Sequence, residues 1–239
     1  MVMTNKDLKI TSRYNDGDYL SKNSDWHVED SPWKAQQIDK IINRNKLNPT
    51  TICEVGCGAG EILRQLSLKP RYSEVDFTGY EISDDAFDLC LSRSTERLTY
   101  LKKDLLEDEK QYDITLCIDV FEHVENYMGF VRGLREKAEF KIFHIPLDLS
   151  VSALLRGMLI NARNSVGHLH YFTPDTAIAT LVDCGYEIVD TMYTPSFADL
   201  PSKNWRGKLI KFPRHALYKT SPKLLATLIG GVSLMVLAK

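Results

Sequence analysis

Residues that could bind a charged ligand stand together near position 55, where Glu54 precedes three alternate glycines, Gly56, Gly58 and Gly60. Glycines allow a tight turn in which backbone N–H groups approach a ligand closely. A dinucleotide-binding turn requires its third glycine three residues after the second, and Glu61 occupies that position. Glu54 would also repel a pyrophosphate at close range. The pattern therefore favours a ligand that brings a cationic group near the turn.

The elements on either side of this turn follow from the residue pattern. Pro49 and two threonines precede a short apolar run over residues 52–55, which indicates a buried parallel strand. Helix-forming residues resume at Glu61 and continue to Leu68, before Pro70. Strand, glycine turn and helix start form the local unit that presents backbone N–H groups to a ligand.

Two more acidic residues stand at the ends of predicted strands. Glu81 falls 21 residues after Gly60, at the carboxyl end of a strand predicted over residues 75–82. A carboxylate in that place can accept two hydrogen bonds from ribose hydroxyls. Asp119 ends the strand predicted over residues 112–119. Ligands of open parallel sheets bind at such carboxyl ends, so both acids are candidates for ligand contact.

The glycine motif resembles the first motif of the class I S-adenosylmethionine-dependent methyltransferases. In that family an acid-x-Gly-x-Gly-x-Gly sequence follows the first strand, and Glu54, Gly56, Gly58 and Gly60 match it in full. The resemblance covers residues 50–190. It implies an α/β fold with a Rossmann-like, seven-stranded, mostly parallel sheet, an antiparallel last strand and helices on both faces. The implied reaction moves a methyl group from S-adenosyl-L-methionine to a small-molecule acceptor.

The resemblance also implies a set of cofactor contacts. Glu81 would hold the ribose, Asp104 would accept a hydrogen bond from the adenine amine, and the backbone of Leu105 would meet the ring. For Asp104, a turn-forming role is an equal alternative. The cofactor-binding residues predicted in this way are Glu54, Gly56, Cys57, Gly58, Glu81, Ile82, Asp104, Leu105 and Asp119.

Four histidines are candidate general bases, because imidazole titrates near neutral pH. His123 follows the fourth strand, where a role at the start of a helix is the alternative, and His144 lies in the fifth strand. His168 and His170 belong to a segment that resembles the family where histidine and Phe-Thr-Pro precede a helix. No cysteine or carboxylate spacing completes a metal site around these two residues, so no metal is predicted.

One methyltransferase domain is expected over residues 1–239. Residues 1–48 would form an N-terminal arm and a cap helix in which Ser31 is the N-cap and Pro32 takes the first position. In the resembled family this helix often covers the cofactor, so Trp33 and Lys34 could contact a ligand. A packed Trp and a solvated Lys are the alternatives.

The second half of the chain adds two segments to this domain. Residues 147–172 would form a lid insertion at the carboxyl edge, and residues 195–222 a basic segment before the last strand. Strands are predicted over residues 52–55, 75–82, 98–101, 112–119, 139–146, 186–193 and 232–237, and helices over 31–47, 61–68, 83–91, 126–138, 151–162 and 173–184. The apolar end is too short to span a membrane, and Gly230-Gly231 divide it into a short helix and a closing strand.

The composition is that of an ordinary globular protein of 239 residues, with 44% apolar and 26% charged residues. This length suits one large α/β domain. The cysteines show neither zinc-type pairing nor a disulfide framework, which favours a reduced, cytoplasmic setting. No basic-then-apolar signal peptide opens the chain. The five cysteines are Cys53, Cys57, Cys90, Cys117 and Cys184.

The net charge of −2 is the sum of an acidic and a basic part of the chain. Residues 200–239 carry +8 and contain no acidic residue, whereas the preceding part carries −10. The acidic body disfavours a nucleic-acid acceptor. The basic, aromatic stretch 203–223 could rest on a membrane surface or meet an anionic partner, with a solvated lid as the alternative. The oligomeric state is left open.

Two other functions remain alternatives at this stage. A module could bind S-adenosylmethionine without turnover, since the glycine motif would be the same. An NAD-dependent oxidoreductase is opposed by Glu54 and Glu61. The acceptor is expected to be an oxygen of a sugar, a natural product or a lipid-linked compound, because no asparagine-proline-proline-tyrosine motif for amino-group methylation is present.

Overall fold

The computed structural model describes residues 28–199 and 205–239, and in the second range it gives the side-chain environment from Pro213 onward. The predicted N-terminal arm as far as residue 27 lies outside the described residues. No described helix is both long enough and apolar enough to cross a membrane.

The described residues form one seven-stranded sheet whose strand order is β3-β2-β1-β4-β5-β7-β6. Strands β1 to β5 pair in parallel, and β7 runs antiparallel to both of its neighbours, β5 and β6. The predicted fold class is thereby confirmed. The strands are β1 (Thr51–Val55), β2 (Asp76–Glu81), β3 (Leu98–Lys102), β4 (Tyr112–Ile118), β5 (Ala138–Pro146), β6 (Ile188–Thr194) and β7 (Ser233–Ala238).

Helices cover both faces of this sheet and the edge at which β1 to β5 end. Short 3-10 turns add to them at several connections, among them residues 105–107, 121–123 and 134–137. The α-helices are α1 (Ser31–Arg44), α2 (Glu61–Ser67), α3 (Asp84–Leu91), α4 (Tyr127–Gly133), α5 (Val151–Leu155), α6 (Met158–Ser165), α7 (Pro174–Asp183), α8 (Ser196–Asp199), α9 (Trp205–Thr220) and α10 (Pro222–Leu228).

Strand β7 explains why the chain ends in an apolar run. Leu234 and Val236 pack into the buried cluster on one face of the sheet, whereas Met235 and Leu237 pack into the cluster on the other face. A strand buried on both faces is apolar at every position instead of alternating. The positive φ angles of Gly230 and its neighbour, 78° and 72°, let the chain turn from α10 into this strand.

Several helix boundaries differ from the sequence prediction, most of them by one to three residues, and three differences affect the description of the fold. The N-cap of α1 is Asp30, so Ser31 already belongs to the helix and its assignment as the N-cap was wrong. The helix predicted over residues 151–162 is broken into α5 and α6, because Gly157 adopts a φ of 62° that a continuous helix does not allow. Helix α4 ends at Gly133, and the chain continues to Lys137 in a 3-10 turn.

Candidate active site

A cavity of about 620 Å³ opens at the carboxyl edge of the sheet, above β1, β2, β4 and β5. This is the edge at which parallel α/β sheets bind ligands. Helix α1 and the segment that follows α6 border the same cavity. Predicted site residues that line it are Glu54, Gly56, Cys57, Gly58, Glu81, Ile82, Asp119, His123, His144 and His168.

The glycine turn adopts the left-handed backbone that its sequence predicts. Gly56, Gly58 and Gly60 have φ angles of 64°, 54° and 76°. At Gly60 the glycine also makes room for a protein side chain, since a Cβ atom there would lie 2.5 Å from the ring of Tyr100. The hydroxyl of Tyr100 donates to the carbonyl of Gly60 at 2.6 Å. Gly60 therefore fixes the start of α2, whereas Gly56 and Gly58 line the cavity.

Glu81 is oriented by the backbone around the turn. Its Oε2 accepts a hydrogen bond from the N–H of Gly58 at 2.8 Å, and its Oε1 accepts from the N–H groups of Ile82 and Ser83, both at 2.8 Å. Burial raises the pKa of Glu81, and the three N–H groups oppose that effect. The carboxylate is thus preorganised at the cavity wall, and it ties the end of β2 to the glycine turn.

Glu54 presents an unsatisfied carboxylate oxygen at the same cavity. The residue is 1% exposed, and its Oε2 has no hydrogen-bond partner among the described residues. Burial raises the pKa of Glu54 well above its usual range, and the cation of Lys34 only partly opposes this. A buried carboxylate without a partner is costly, so this position suits a ligand that supplies a positive charge or a hydrogen-bond donor.

A chain of polar contacts fixes Asp119 at the end of β4. Asp119 Oδ2 lies 2.8 Å from Lys34 Nζ, and its Oδ1 lies 2.6 Å from His144 Nδ1. The other ring nitrogen of His144 lies 2.9 Å from the hydroxyl of Thr194. Burial alone would raise the pKa of Asp119, but His144 and Lys34 hold it well below its usual range. Lys34 is therefore bound at the cavity wall, and the solvated alternative was wrong.

The structure separates the four candidate histidines into two groups. His144 is 2% exposed, and both of its ring nitrogens already have partners. His170 does not line the cavity. Its Nε2 lies 2.9 Å from the carbonyl oxygen of Val124, and its ring packs on Tyr127. Neither is placed to take a proton from a ligand in the cavity.

The remaining two histidines meet at the cavity wall. The rings of His123 and His168 pack edge to face with their centroids 4.9 Å apart. His168 Nδ1 lies 2.5 Å from Asp148 Oδ2, so a carboxylate from the lid orients this imidazole. An imidazole held in this way by an acid on one nitrogen can exchange a proton through the other.

Sequence reasoning missed Glu122, which completes this cluster. Glu122 is fully buried, and neither of its carboxylate oxygens has a hydrogen-bond partner among the described residues. Its Oε1 lies 3.8 Å from His123 Nε2. Burial raises the pKa of Glu122 well above its usual range, and the charge of Asp119 adds to the shift. Ligand atoms of Glu122, His123 and His168 all lie within 4.8 Å of one another, so the three could also hold a cation.

Asp104 and Leu105 lie outside the cavity lining. The Asp104 carboxylate accepts a hydrogen bond from the N–H of Leu106 at 2.9 Å and caps the 3-10 turn over residues 105–107. Leu105 is fully buried in the core. The structure therefore shows Asp104 in its turn-forming role. The contact between Asp104 and adenine stays a prediction.

A protein-family model described as a methyltransferase domain matches residues 31–191 of the chain. Among curated proteins, the ubiquinone biosynthesis O-methyltransferase of Rickettsia bellii is 33% identical over 110 residues, which cover 44% of this chain and 44% of that protein. The corresponding protein of Rickettsia canadensis is 23% identical over 163 residues, which cover 63% of this chain and 69% of that protein. The chain thus spans less than half the length of the first of these relatives.

Solved structures with the same fold share little sequence with this chain. The magnesium protoporphyrin IX methyltransferase of Synechocystis PCC 6803, solved with bound S-adenosylmethionine, has a TM-score of 0.60 and 14% identity, and the match covers 99% of this chain and 97% of that one. The plantazolicin methyltransferase, solved with a desmethyl analogue and S-adenosylhomocysteine, has a TM-score of 0.55 and 17% identity, with 98% and 90% covered. The family match, which spans most of the chain, and the predicted glycine motif agree, and the chain belongs to the methyltransferase domain family.

Proposed function

We propose that this chain transfers a methyl group from S-adenosyl-L-methionine to an oxygen atom of a small-molecule acceptor. The observation that carries the proposal is the buried, unpartnered carboxylate oxygen Oε2 of Glu54 beside the glycine turn. S-adenosylmethionine carries both an ammonium and a sulfonium cation, and either would offset the cost of that carboxylate. Support for an oxygen acceptor comes from the Rickettsia relatives, which are named O-methyltransferases.

The carboxyl edge supplies distinct contacts for the two ends of the cofactor. Gly56 and Gly58 leave the backbone of the turn open to the cavity, and Glu54, which lines the same cavity, would hold the cationic end of the cofactor. Glu81, held by three backbone N–H groups, is available for the ribose hydroxyls. Ile82 is 61% exposed at the rim, where its side chain would cover the adenine. Asp104 and Leu105 complete the adenine site if ligand binding draws the neighbouring turn toward the cavity.

The acceptor end of the cavity is built from His123, His168 and Glu122. S-adenosylmethionine would supply the methyl group at this end, and one of the two imidazoles would take the proton that the acceptor hydroxyl loses as its oxygen displaces the sulfur. His168 is the better placed base, because Asp148 holds its Nδ1 and leaves the other nitrogen for the acceptor. Orientation of the two reactants in one closed cavity supplies much of the rate enhancement.

His144 and Asp119 act on this reaction through positioning. Asp119 has a φ of 54°, uncommon for a residue other than glycine, and its two ion-pair contacts hold it there. This arrangement pins α1 against the end of β4 and so fixes the wall between the cofactor and acceptor ends. His170 supports the connection after β4 through its contact with Val124.

The cysteines support the expected reducing, cytoplasmic setting. All five are free thiols buried in the core. Burial raises the pKa of Cys53 to about 12, which leaves this thiol un-ionised and unreactive at neutral pH.

Calorimetric titration with S-adenosylhomocysteine tests the cofactor site. We expect micromolar affinity for the intact chain, and a decrease of about tenfold or more in both Glu54→Gln and Glu81→Ala. Glu74→Gln is the matched control, because Glu74 forms an exposed ion pair away from the cavity and its loss leaves affinity unchanged. Absence of binding to the intact chain would refute the proposal.

Methyl transfer is then followed with label from S-adenosylmethionine and a panel of small hydroxylated acceptors. His168→Gln should lose about a hundredfold or more in kcat while cofactor affinity stays the same, because only proton removal is affected. His215→Gln is the control, since His215 is exposed on α9. A rate that falls on chelation and returns with Mg²⁺ would assign Glu122, His123 and His168 to a cation instead. Cofactor binding without turnover on any acceptor would favour the non-catalytic alternative.

A further inference from the structure

The lid and the helix before β7 expose an unusual number of large apolar side chains. On α5 and α6, Leu154, Leu155 and Ile160 are 59%, 84% and 62% exposed. On and after α10, Leu228 and Ile229 are 42% and 40% exposed. Together with Met158 these residues are called the lid face below. Single exposed apolar residues are normal on a protein surface, but a group of this kind marks a binding surface.

The two parts of the lid face lie next to each other. Helix α5 packs against both α6 and α10. The turn after α10 also comes close to the start of the lid, since a Cβ atom on Gly230 would lie 2.8 Å from the Oγ of Ser150. The exposed side chains of α5, α6 and α10 are therefore carried by adjoining elements of one folded unit.

The segments that carry the lid face are basic, and the acid beside α10, Asp175, is paired with Lys223 at 2.6 Å. Residues 149–174 contain no aspartate or glutamate, and neither do residues 200–239. Arg156 and Arg163 lie among the apolar residues of the lid, and both are exposed. Lys219 is exposed at the end of α9 beside α10. Apolar side chains surrounded by basic ones are complementary to a lipid surface that carries negative charge.

The lid face also adjoins the cavity. Val166, directly after α6, and His168 both line it. The hydroxyl of Tyr171 donates to the carbonyl of Leu159 at 2.8 Å and so fastens α6 to the segment that carries His168. A surface that contacts the lid face would thus lie beside the acceptor end of the site.

We propose that the lid face docks on the surface of a lipid bilayer that contains anionic phospholipids. The apolar side chains enter the interfacial layer, and the basic side chains meet the headgroups. The chain would bind to the surface through these side chains. An acceptor held in the membrane could then reach the cavity from the lipid side.

A second copy of the chain fits this face less well. Symmetric dimers bring the same patch of both subunits together. Arg156 and Arg163 of one copy would then face basic residues of the other, since residues 149–174 contain no acid. Such like-charge contacts oppose association, whereas the same charges favour an anionic bilayer.

Co-sedimentation with vesicles tests the proposal. The intact chain should bind vesicles of phosphatidylcholine with about a third phosphatidylglycerol, and bind pure phosphatidylcholine vesicles much more weakly. The double variant Leu154→Ser, Leu155→Ser should lose about tenfold or more in affinity for the mixed vesicles. Arg156→Glu should reduce binding and weaken its dependence on salt. Leu68→Ser combined with Leu91→Ser is the matched control, since both leucines are exposed on helices outside the lid face.

The affinity of each variant for S-adenosylhomocysteine is measured alongside. Unchanged affinity shows that the variants fold, and it separates failure of this proposal from failure of the proposed function. Equal binding of the intact chain and the double leucine variant to mixed vesicles would overturn the proposal. A dimer in sedimentation analysis that dissociates in the same double variant would assign the lid face to a second copy and would also overturn it.

Discussion

At the scale of single residues, the site is dominated by carboxylates in unequal environments. Asp119 is paired with Lys34 and hydrogen-bonded to His144, whereas Glu54 and Glu122 are buried with unpartnered oxygens. The pKa of Asp119 is lowered and that of each glutamate is raised, because burial opposes charge and only Asp119 lies in direct contact with both Lys34 and His144. The same functional group is therefore a fixed structural anion in one place, and in the other places we propose that it contacts a ligand.

The variant Asp119→Asn tests the structural role. Asparagine tolerates the positive φ, so the main effect is loss of the charge that faces Lys34 and His144. We expect the free energy of unfolding to fall by about 2 kcal/mol, because a buried cation loses its partner. Chemical denaturation measures this loss. Asp76→Asn, which removes an exposed ion pair with Arg97, should change it by less than about 0.5 kcal/mol.

The pH dependence of that loss has a definite sign. A carboxyl group whose pKa is lowered in the folded state stabilises the fold above its unfolded pKa, and this contribution disappears as pH falls through the folded pKa. For Asp119 the unfolded value is about 3.9. The difference in stability between the intact chain and Asp119→Asn should stay constant from neutral pH to about pH 5 and shrink below about pH 4. A difference that grows on acidification would contradict the assignment.

Glu54 leads to a prediction about proton release. Because burial raises its pKa well above the usual range when the cavity is empty, this carboxyl holds a proton to higher pH than an ordinary glutamate does. Binding of the ammonium group of S-adenosylhomocysteine favours the charged carboxylate and expels that proton. Calorimetry in two buffers of different ionisation enthalpy should therefore show proton release, and affinity should rise with pH. In Glu54→Gln the release should vanish, whereas in the exposed control Glu74→Gln it should persist.

At the scale of elements, glycine positions decide where helices begin and break. Gly60 and Gly157 each lie directly before a helix, and both glycines adopt the left-handed backbone conformation, with φ angles of 76° and 62°. Around Gly60 the ring of Tyr100 occupies the space that a side chain would need, whereas around Gly157 that space is open. The two positions share the same backbone constraint and differ only in packing.

This contrast gives a paired prediction. Gly157→Ala should cost about 1 kcal/mol of unfolding free energy, from left-handed strain alone. Gly60→Ala should cost about 3 kcal/mol or more, because the new Cβ atom also displaces the Tyr100 ring. Denaturant titration of both variants measures the difference. Equal losses would mean that the ring moves aside at little cost.

Much of this architecture could be predicted from sequence, because its signals are local. The alternate glycines after Glu54 and the polar residue after β4 predicted the edge of the sheet at which the cavity lies, and the methyltransferase family is confirmed. Glu122 was missed because its importance comes from burial and from His168, which lies 46 positions later in the chain. The break at Gly157 was missed because apolar helical spacing continues across it. Partners brought together by the fold leave no such local pattern.

At the scale of the whole molecule, the cavity joins elements from both ends of the described chain. Its wall runs from α1, through the ends of β1, β2, β4 and β5, to Ser233 at the start of β7. The indole N–H of Trp33 donates to Asp199 at 2.9 Å, which links α1 to α8 beside the sheet. A ligand in this cavity contacts most layers of the fold, so its binding energy should stabilise the molecule as one unit.

Thermal unfolding with and without S-adenosylhomocysteine tests this integration. At a ligand concentration of about a hundred times Kd, binding to the folded state alone should add about 2.7 kcal/mol of stability. For a chain of this size that gain corresponds to a rise in Tm of about 5–10 °C in one cooperative transition. Glu81→Ala should show a smaller rise at the same ligand concentration, because its affinity is lower. If the ligand stabilised only the cavity wall, a second, ligand-independent transition would remain at the original temperature. That result would mean that the sheet and the site are separate cooperative units.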